Sequence, residues 1–326
     1  MPEPIIEIKN LSVYFYTYAG VVKAIENVSF DIYRGETLAL VGETGCGKSV
    51  TSRAIAKLIE SPGKIVNGQV IYHRDDGSTV DLLKLDDEGI REIRGNEIAY
   101  IFQDPHSSLD PLYTVGYQIG EAMEVHEKVK NIKEGVSKAV NILREVLIPD
   151  PENRVKDYPH ELSGGMKQRV VIGVGIANNP RLLIADEPTT ALDVTVQAQI
   201  LELLNELKRK YNATVLLITH NLGVVAETAQ RVVVMYAGKV VEMGTVDQIF
   251  HNPLHPYTVA LLRAVPNPLG KIEKLESIPG TVPNLITPPK GCRFHPRCPF
   301  AEERCRKEVP KLKEIEPGHF VACHRY

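Results

Sequence analysis

The chain has 326 residues, 43% hydrophobic and 24% charged, values of a globular protein that exclude a disordered or collagen-like chain. At roughly 100–200 residues per domain, the length suggests about two folding units. Lysine and arginine number 38 against 41 aspartates and glutamates, a net charge of −3, so charge gives no reason to expect a nucleic acid as main partner. No apolar run approaches the ~18 residues of a membrane span, and the N-terminus, MPEPIIEIKN, lacks the basic-then-apolar order of a secretory leader. A soluble cytosolic protein is expected, one able to sit on a membrane protein.

Short runs rich in valine, isoleucine and leucine predict strands buried on both faces at Thr37–Val41, Glu97–Phe102, Leu182–Asp186, Thr214–Thr219 and Arg231–Tyr236. Helical patterns fall between them, as at Val194–Lys210, and the alternation implies an α/β fold with a mostly parallel sheet. Residues from about 105 to 165 break the rhythm; Gly116–His126 and Lys133–Leu147 read as helices of an inserted helical subdomain. Arg231–Gly244 reads as a hairpin around Ala237-Gly238-Lys239. Proline then marks a boundary, with 10 in residues 1–250 and 12 in residues 251–326. A proline-rich tail cannot form long helices or a parallel sheet. A first domain over 1–250 and a second over 251–326 are therefore expected, the second with one helix at about Tyr257–Val265, an extended linker through Pro289 and a cysteine-rich end.

The segment Gly42-Glu43-Thr44-Gly45-Cys46-Gly47-Lys48-Ser49 fits G-x-x-x-x-G-K-S/T, with a strand before it and a helical pattern after it. Gly42, Gly45 and Gly47 let the backbone wrap a phosphate with its N–H groups turned inward, at the positive end of the next helix. Lys48 is expected at the β- and γ-phosphates and Ser49 on Mg²⁺. Cys46 holds a variable position of the loop and reads as a small packing residue. The run Leu182-Leu183-Ile184-Ala185-Asp186-Glu187 is a buried strand ending in two acids. Asp186 is expected to hold the Mg²⁺ shell, and Glu187 to act as general base toward the attacking water.

Leu162-Ser163-Gly164-Gly165-Met166-Lys167-Gln168-Arg169 resembles the signature motif of ABC transporter ATPases. Gln103 resembles that family's Q-loop glutamine, Asp193 its D-loop aspartate and His220 its switch histidine, all in the family's order. The run from Asp186 to Leu201, DEPTTALDVTVQAQIL, is similar to the dipeptide/oligopeptide importer ATPases, as is the tail from NPLHPYT at Asn252 to GHFVAC at Cys323. The resemblance implies a phosphate-loop ATPase domain with a helical subdomain and an antiparallel β part, followed by a small cysteine-rich domain. It also implies ATP and Mg²⁺ as cofactors and head-to-tail pairing with a second ATPase. A heterodimer with a homologous subunit is the commoner arrangement; a homodimer would also supply two sites. In such a pair Ser163 and Gly165 meet the γ-phosphate bound by the partner's phosphate loop, His220 holds the γ-phosphate, and Gln103 contacts Mg²⁺ or the water. An aromatic residue near the N-terminus is expected to stack on adenine, with Phe15 the candidate and Tyr14, Tyr16 and Tyr18 as neighbours that stay open. Val50 stands where many members carry a hydroxyl, leaving its backbone N–H for the phosphate. Two transmembrane permease subunits, an extracytoplasmic substrate-binding protein and a place on the cytoplasmic face of the cell membrane follow. The resemblance points to peptides as cargo; this subunit does not touch the cargo, so nickel or an oligosaccharide stays open. A non-transport ABC ATPase acting on DNA or ribosomes is disfavoured by the charge and by the single ATPase domain.

Four of the five cysteines, Cys292, Cys298, Cys305 and Cys323, lie in the last 35 residues, spaced C-x5-C-x6-C-x17-C. In a chain with no export signal this reads as a metal site before disulfides. Zinc ribbons use closer pairs. Four thiolates also hold a 4Fe–4S cluster, and the resemblance to peptide-importer ATPases favours that cluster over Zn²⁺, as a structural staple. Arg293, Arg297 and Arg304 are expected to offset the charge of the thiolates.

Overall fold

The computed structural model describes residues 3–190, 192–264 and 278–326. The chain divides into two compact units, Met1–Leu83 with Ile218–Tyr326, and Lys84–Leu217.

The first unit opens with five strands, β1 (Pro4–Thr17), β2 (Gly20–Tyr33), β3 (Thr37–Val41), β4 (Gly63–His73) and β5 (Thr79–Asp81). Four of them form an antiparallel sheet in the order β2-β1-β4-β5. Ile6, Ile8, Leu11 and Val13 of β1 are buried, and the pairing with β2 slips between Ile8 and Leu11. Asn10 takes up the slip at φ 50°, its N–H donating to Ser29 Oγ at 2.8 Å, while Asn27 at φ 52° donates its N–H to Ser12 Oγ at 2.9 Å. Asparagine tolerates this left-handed backbone better than most residues. Each bulge shifts the apolar alternation by one residue, so the sequence pattern shows no strand before Thr37. β3 is buried at every position and runs into the helix Lys48–Ile55.

The second unit holds β6 (Ile98–Ile101), β7 (Leu182–Asp186) and β8 (Thr214–Ile218), in the order β8-β7-β6. β6 and β7 are parallel, with Ile98 opposite Leu182 and Ile101 opposite Ala185. The helices Val115–Val125, Ile132–Glu145, Gly164–Ile176 and Val194–Tyr211 each begin at a side chain that accepts a backbone N–H of the first turn: Thr114, Asn131, Ser163 and Asp193. The expected elements lie within one or two residues of these bounds.

In its second stretch the first unit adds β9 (Arg231–Tyr236), β10 (Lys239–Thr245), β11 (Lys313–Glu316) and β12 (His319–Val321). β9 lies parallel to β3, and the order is β11-β12-β10-β9-β3. Ala237 at φ 46° and Gly238 at φ 79° make the mirror-image turn that suits the twist of a hairpin. The expected tail helix is Pro256–Arg263; Val265 and much of the expected linker, residues 265–277, lie outside the described residues. Residues 278–290 form no helix or strand. Beyond the expected elements, β11 and β12 join the tail to the sheet, β12 antiparallel to β10 with Glu242 opposite Val321. Buried Tyr236, Tyr257 and Phe294 pack as a ring cluster, Tyr236 with its centroid 4.6 Å from Tyr257 and 5.1 Å from Phe294. Beside them Glu242, fully buried, accepts the N–H groups of Leu254 (2.7 Å) and His255 (2.9 Å) and pairs with His319 Nε2 at 2.8 Å. Burial pushes His255 down to about 3, so the ring is neutral and its Nδ1 accepts the Tyr257 N–H at 3.0 Å, capping the tail helix. Among the described residues no helix is long and apolar enough to cross a membrane.

Candidate active site

In the first unit the turn from β3 into its helix is a backbone cradle. Gly42 sits at φ 146° and Gly47 at φ 101°; a Cβ on Gly42 would lie 2.2 Å from the Met235 carbonyl oxygen, and one on Gly47 2.6 Å from Ile25 Cγ2. Conformation and close packing thus both require glycine at these two places. Gly45, at φ 80°, faces open space. The Lys48 side chain is buried, its Nζ donating to the carbonyls of Gly42 at 2.8 Å and Glu43 at 3.3 Å. The ammonium is therefore fixed inside the loop, at the N-terminal end of the helix, where both favour an anion. Ser49 and Val50 are half-buried in that helix's first turn. Cys46 is fully buried, and burial raises its thiol pKa, with Lys48 opposing, which suits a packing residue.

Phe15, half-buried on β1, packs its ring edge over Gly63, where a Cβ would lie 2.7 Å from Phe15 Cε1. His220 is exposed two residues beyond β8, after a buried Thr219 whose Oγ1 accepts the Asn221 N–H at 3.0 Å.

In the second unit the parallel register of β6 and β7 brings together the residues that follow each strand. Gln103 Nε2 donates to Glu187 Oε2 at 2.9 Å, and Thr190 Oγ1 donates to the same oxygen at 3.0 Å. Glu187 lies at φ 47°, a backbone that a β-branched or bulky residue seldom adopts, so the turn aims this carboxylate at a cost in strain. Asp186, buried at the end of β7, accepts from the Tyr100 hydroxyl at 2.8 Å. The sequence reading missed Tyr100 and Thr190. Tyr100 carried a signal: it is the one polar-tipped residue in the apolar run Ile98–Ile101.

Ser163 and Asp193 are both exposed helix caps, accepting from the N–H of Met166 (3.3 Å) and Val196 (2.9 Å) respectively. Their helices meet at Gly165, where a Cβ would lie 2.9 Å from Val196 Cγ1, so the signature glycine lets the two N-termini approach. Ala191, within the DEPTTALD run, lies outside the described residues.

In the tail all four cysteines are thiols and partly buried. Burial first, then the other three thiols, push Cys292 up to about 11, against the pull of the Phe294 N–H. Burial also raises Cys298 and Cys323, against N–H groups from Phe300 and Arg325. Three sulfurs thus accept the amide two residues on. Among the described residues no three His, Cys, Asp or Glu side chains are grouped so as to hold a metal ion. The three arginines are placed differently from the expectation. Arg293 is taken by Glu26 (2.6 Å), Arg297 by Glu43 (2.7 Å) and Arg304 by Glu308 (2.9 Å), because carboxylates within reach outcompete neutral thiols. Arg325, which the sequence reading passed over, is the cation that favours the thiolate forms of Cys298 and Cys323. His295, His319 and His324 bond elsewhere, to the Cys292 carbonyl, Glu242 and the Glu308 carbonyl.

A family model described as ABC transporter matches residues 25–190, and one described as oligopeptide/dipeptide transporter, C-terminal region, matches residues 241–305. The chain is 50% identical over 323 residues to a probable peptide ABC transporter ATP-binding protein of Sinorhizobium fredii, covering 98% of this chain and 95% of that one. It is 48% identical to the dipeptide transport ATP-binding protein DppD of Escherichia coli, covering 98% and 96%. Among solved structures it is similar to the ATP-binding cassette MJ0796 in a dimeric post-hydrolysis state bound to ADP and Pi, with a TM-score of 0.64 at 27% identity over 74% of this chain and 98% of that one. The chain belongs to the ABC transporter family, as an ATP-binding subunit of its dipeptide/oligopeptide importer branch.

Proposed function

We propose that this chain binds and hydrolyses ATP to power the import of di- or oligopeptides, from the cytoplasmic face of a membrane and in complex with two permease subunits and a second, homologous ATPase. The observation that carries the ATPase reading is Glu187, a carboxylate held in a strained turn by Gln103 and Thr190 and preceded by the buried Asp186. Relatives named for peptide and dipeptide transport, alike over nearly the whole chain, carry the cargo.

The Gly42–Gly47 backbone and Lys48 bind the phosphates, and Phe15 offers a ring face to adenine. Ser49, Asp186 and Gln103 are hard oxygen donors of the kind that suits Mg²⁺. Bound Mg²⁺ supplies charge neutralisation at the β- and γ-phosphates. Glu187 takes the proton of the attacking water, its orientation fixed by the Gln103 amide and the Thr190 hydroxyl. His220 donates to the γ-phosphate. Ser163, Gly165 and Asp193 stand at two helix N-termini and serve the nucleotide held by the paired ATPase. Membrane vesicles holding the assembled transporter test the cargo. They should take up a labelled dipeptide with ATP and not with ADP; a transporter stimulated only by nickel or an oligosaccharide would overturn the peptide reading.

The tail's donor set is sulfur only, with three of the four sulfurs receiving an amide N–H, which fits a soft metal and disfavours Mg²⁺ or Ca²⁺. Cys292, Cys298, Cys305 and Cys323 would hold a 4Fe–4S cluster, with Zn²⁺ as the alternative. When bound it would cross-link a tail in which residues 278–290 form no helix or strand. Anaerobically purified protein should contain about four irons and four sulfides per chain, lost in Cys298→Ser. One zinc per chain would favour the alternative, and a Cys298→Ser variant that keeps its iron would overturn this ligand set.

A further inference from the structure

The cysteine-rich tail reaches into the phosphate loop. The side chain of Arg297, which directly precedes Cys298, is 5% exposed and closes on the Glu43 carboxylate with both ends of its fork, at 2.7 and 3.1 Å. The same guanidinium donates to the carbonyls of Pro279 (2.7 Å) and Ile278 (3.2 Å) and to the Tyr236 hydroxyl (3.3 Å), so its direction is fixed by the tail. Glu43 is the second residue of the loop. Its N–H donates to the hydroxyl of Tyr257, on the tail helix, at 2.8 Å. Its carbonyl accepts from Lys48 Nζ and from the Cys46 N–H. On the loop's other flank Arg293, which follows Cys292, binds Glu26 and the Ala237 carbonyl. The turn so braced gives the Gly238 N–H to the Cys46 carbonyl at 2.8 Å. Two arginines beside two cysteines thus hold the loop at both shoulders.

A glycine-rich loop must lose backbone freedom to wrap a phosphate, and any group that holds it beforehand removes part of that cost. Arg297 also cancels a carboxylate that otherwise stands beside an anion-binding loop. Unpaired, Glu43 would repel the phosphates in a half-buried place where screening is weak. We propose that Arg297 is a positioning residue for nucleotide binding: acting through Glu43, it makes the phosphate loop's affinity for ATP depend on the folded cysteine tail. The proposal rests on the reading of this loop as the ATP site.

A double-mutant cycle on the full chain, purified anaerobically, tests it with a fluorescent ATP analogue as probe. Arg297→Gln should weaken binding about tenfold, the scale of one charge-assisted bond, while kcat at saturating ATP changes less than about twofold. In a Glu43→Gln background the same substitution should change the dissociation constant less than about twofold, since the carboxylate charge that Arg297 pairs with is gone. An arginine that merely stiffens the tail would cost the same in both backgrounds, and that equality would overturn the proposal, as would an unchanged dissociation constant in Arg297→Gln. Lys48→Ala is the reference. If it leaves binding intact, the ATP-site reading fails; if it abolishes binding while Arg297→Gln has no effect, only the positioning role fails. Should Arg297→Gln not fold, Arg297→Lys in the same cycle keeps the charge, loses the fork and gives a smaller weakening that must again vanish with Glu43→Gln.

Discussion

Replacing Glu187 with glutamine should lower ATP turnover at the site this residue serves by a factor of about 10²–10⁴, the usual worth of a positioned general base, while ATP binding changes little. The substitution keeps the shape of the side chain. The Gln103 amide and the Thr190 hydroxyl donate to one and the same carboxylate oxygen of Glu187, and an amide carbonyl accepts both as well. What is lost is the ability to take a proton. A steady-state phosphate-release assay beside a nucleotide titration separates the two effects. Turnover within about threefold of the native chain would remove Glu187 from the role of base.

Lys48→Ala is expected to weaken nucleotide binding by about 100-fold or more, which corresponds to roughly 2.7 kcal/mol. Two losses combine. The ammonium makes charge-assisted bonds to phosphate, each worth about 1.5–3 kcal/mol. It also ties the Gly42 and Glu43 carbonyls from inside the loop, and alanine leaves those acceptors, the Gly42 one buried, without it. Calorimetric titration with the Mg²⁺ complex of ATP reads the change directly. A dissociation constant within about threefold of the native value would mean that this lysine does not hold the phosphates.

Features written in consecutive residues were legible in the sequence. β3, β7 and β9 are apolar, buried at nearly every position and bounded by turn residues, so a run of identities gives their limits. The phosphate loop and the capped helices after Ser163 and Asp193 are likewise local, set by glycine conformation and by side chains that bond two or three residues on. The antiparallel strands β1 and β2 were hidden because bulges at Asn10 and Asn27 break the alternation on which a strand pattern depends. β12 has three residues, and the four of β11 are all exposed, so neither carries a hydrophobic pattern. Contacts between distant residues left no trace in spacing: Arg297 and Glu43 are 254 positions apart. Counting charges near the thiols gave Arg293, Arg297 and Arg304 as their counterions. The carboxylates that take Arg293 and Arg297 come from β2 and the phosphate loop, which no sequence window shows beside the tail, while Arg304 pairs four residues on with Glu308, just past the short helix Glu303–Lys307.

Hydrolysis of ATP with Glu187 as base, inside a peptide importer, is the proposed activity of this chain. The most direct measurement is the identity of the nucleotide recovered from the assembled transporter after a single turnover with Mg²⁺ and labelled ATP, the second ATPase being kept the same throughout. With the native chain the nucleotide at this site should be recovered as ADP; with Glu187→Gln it should be recovered as intact ATP. Recovery of ADP to the same extent from both would remove Glu187 from the hydrolytic step.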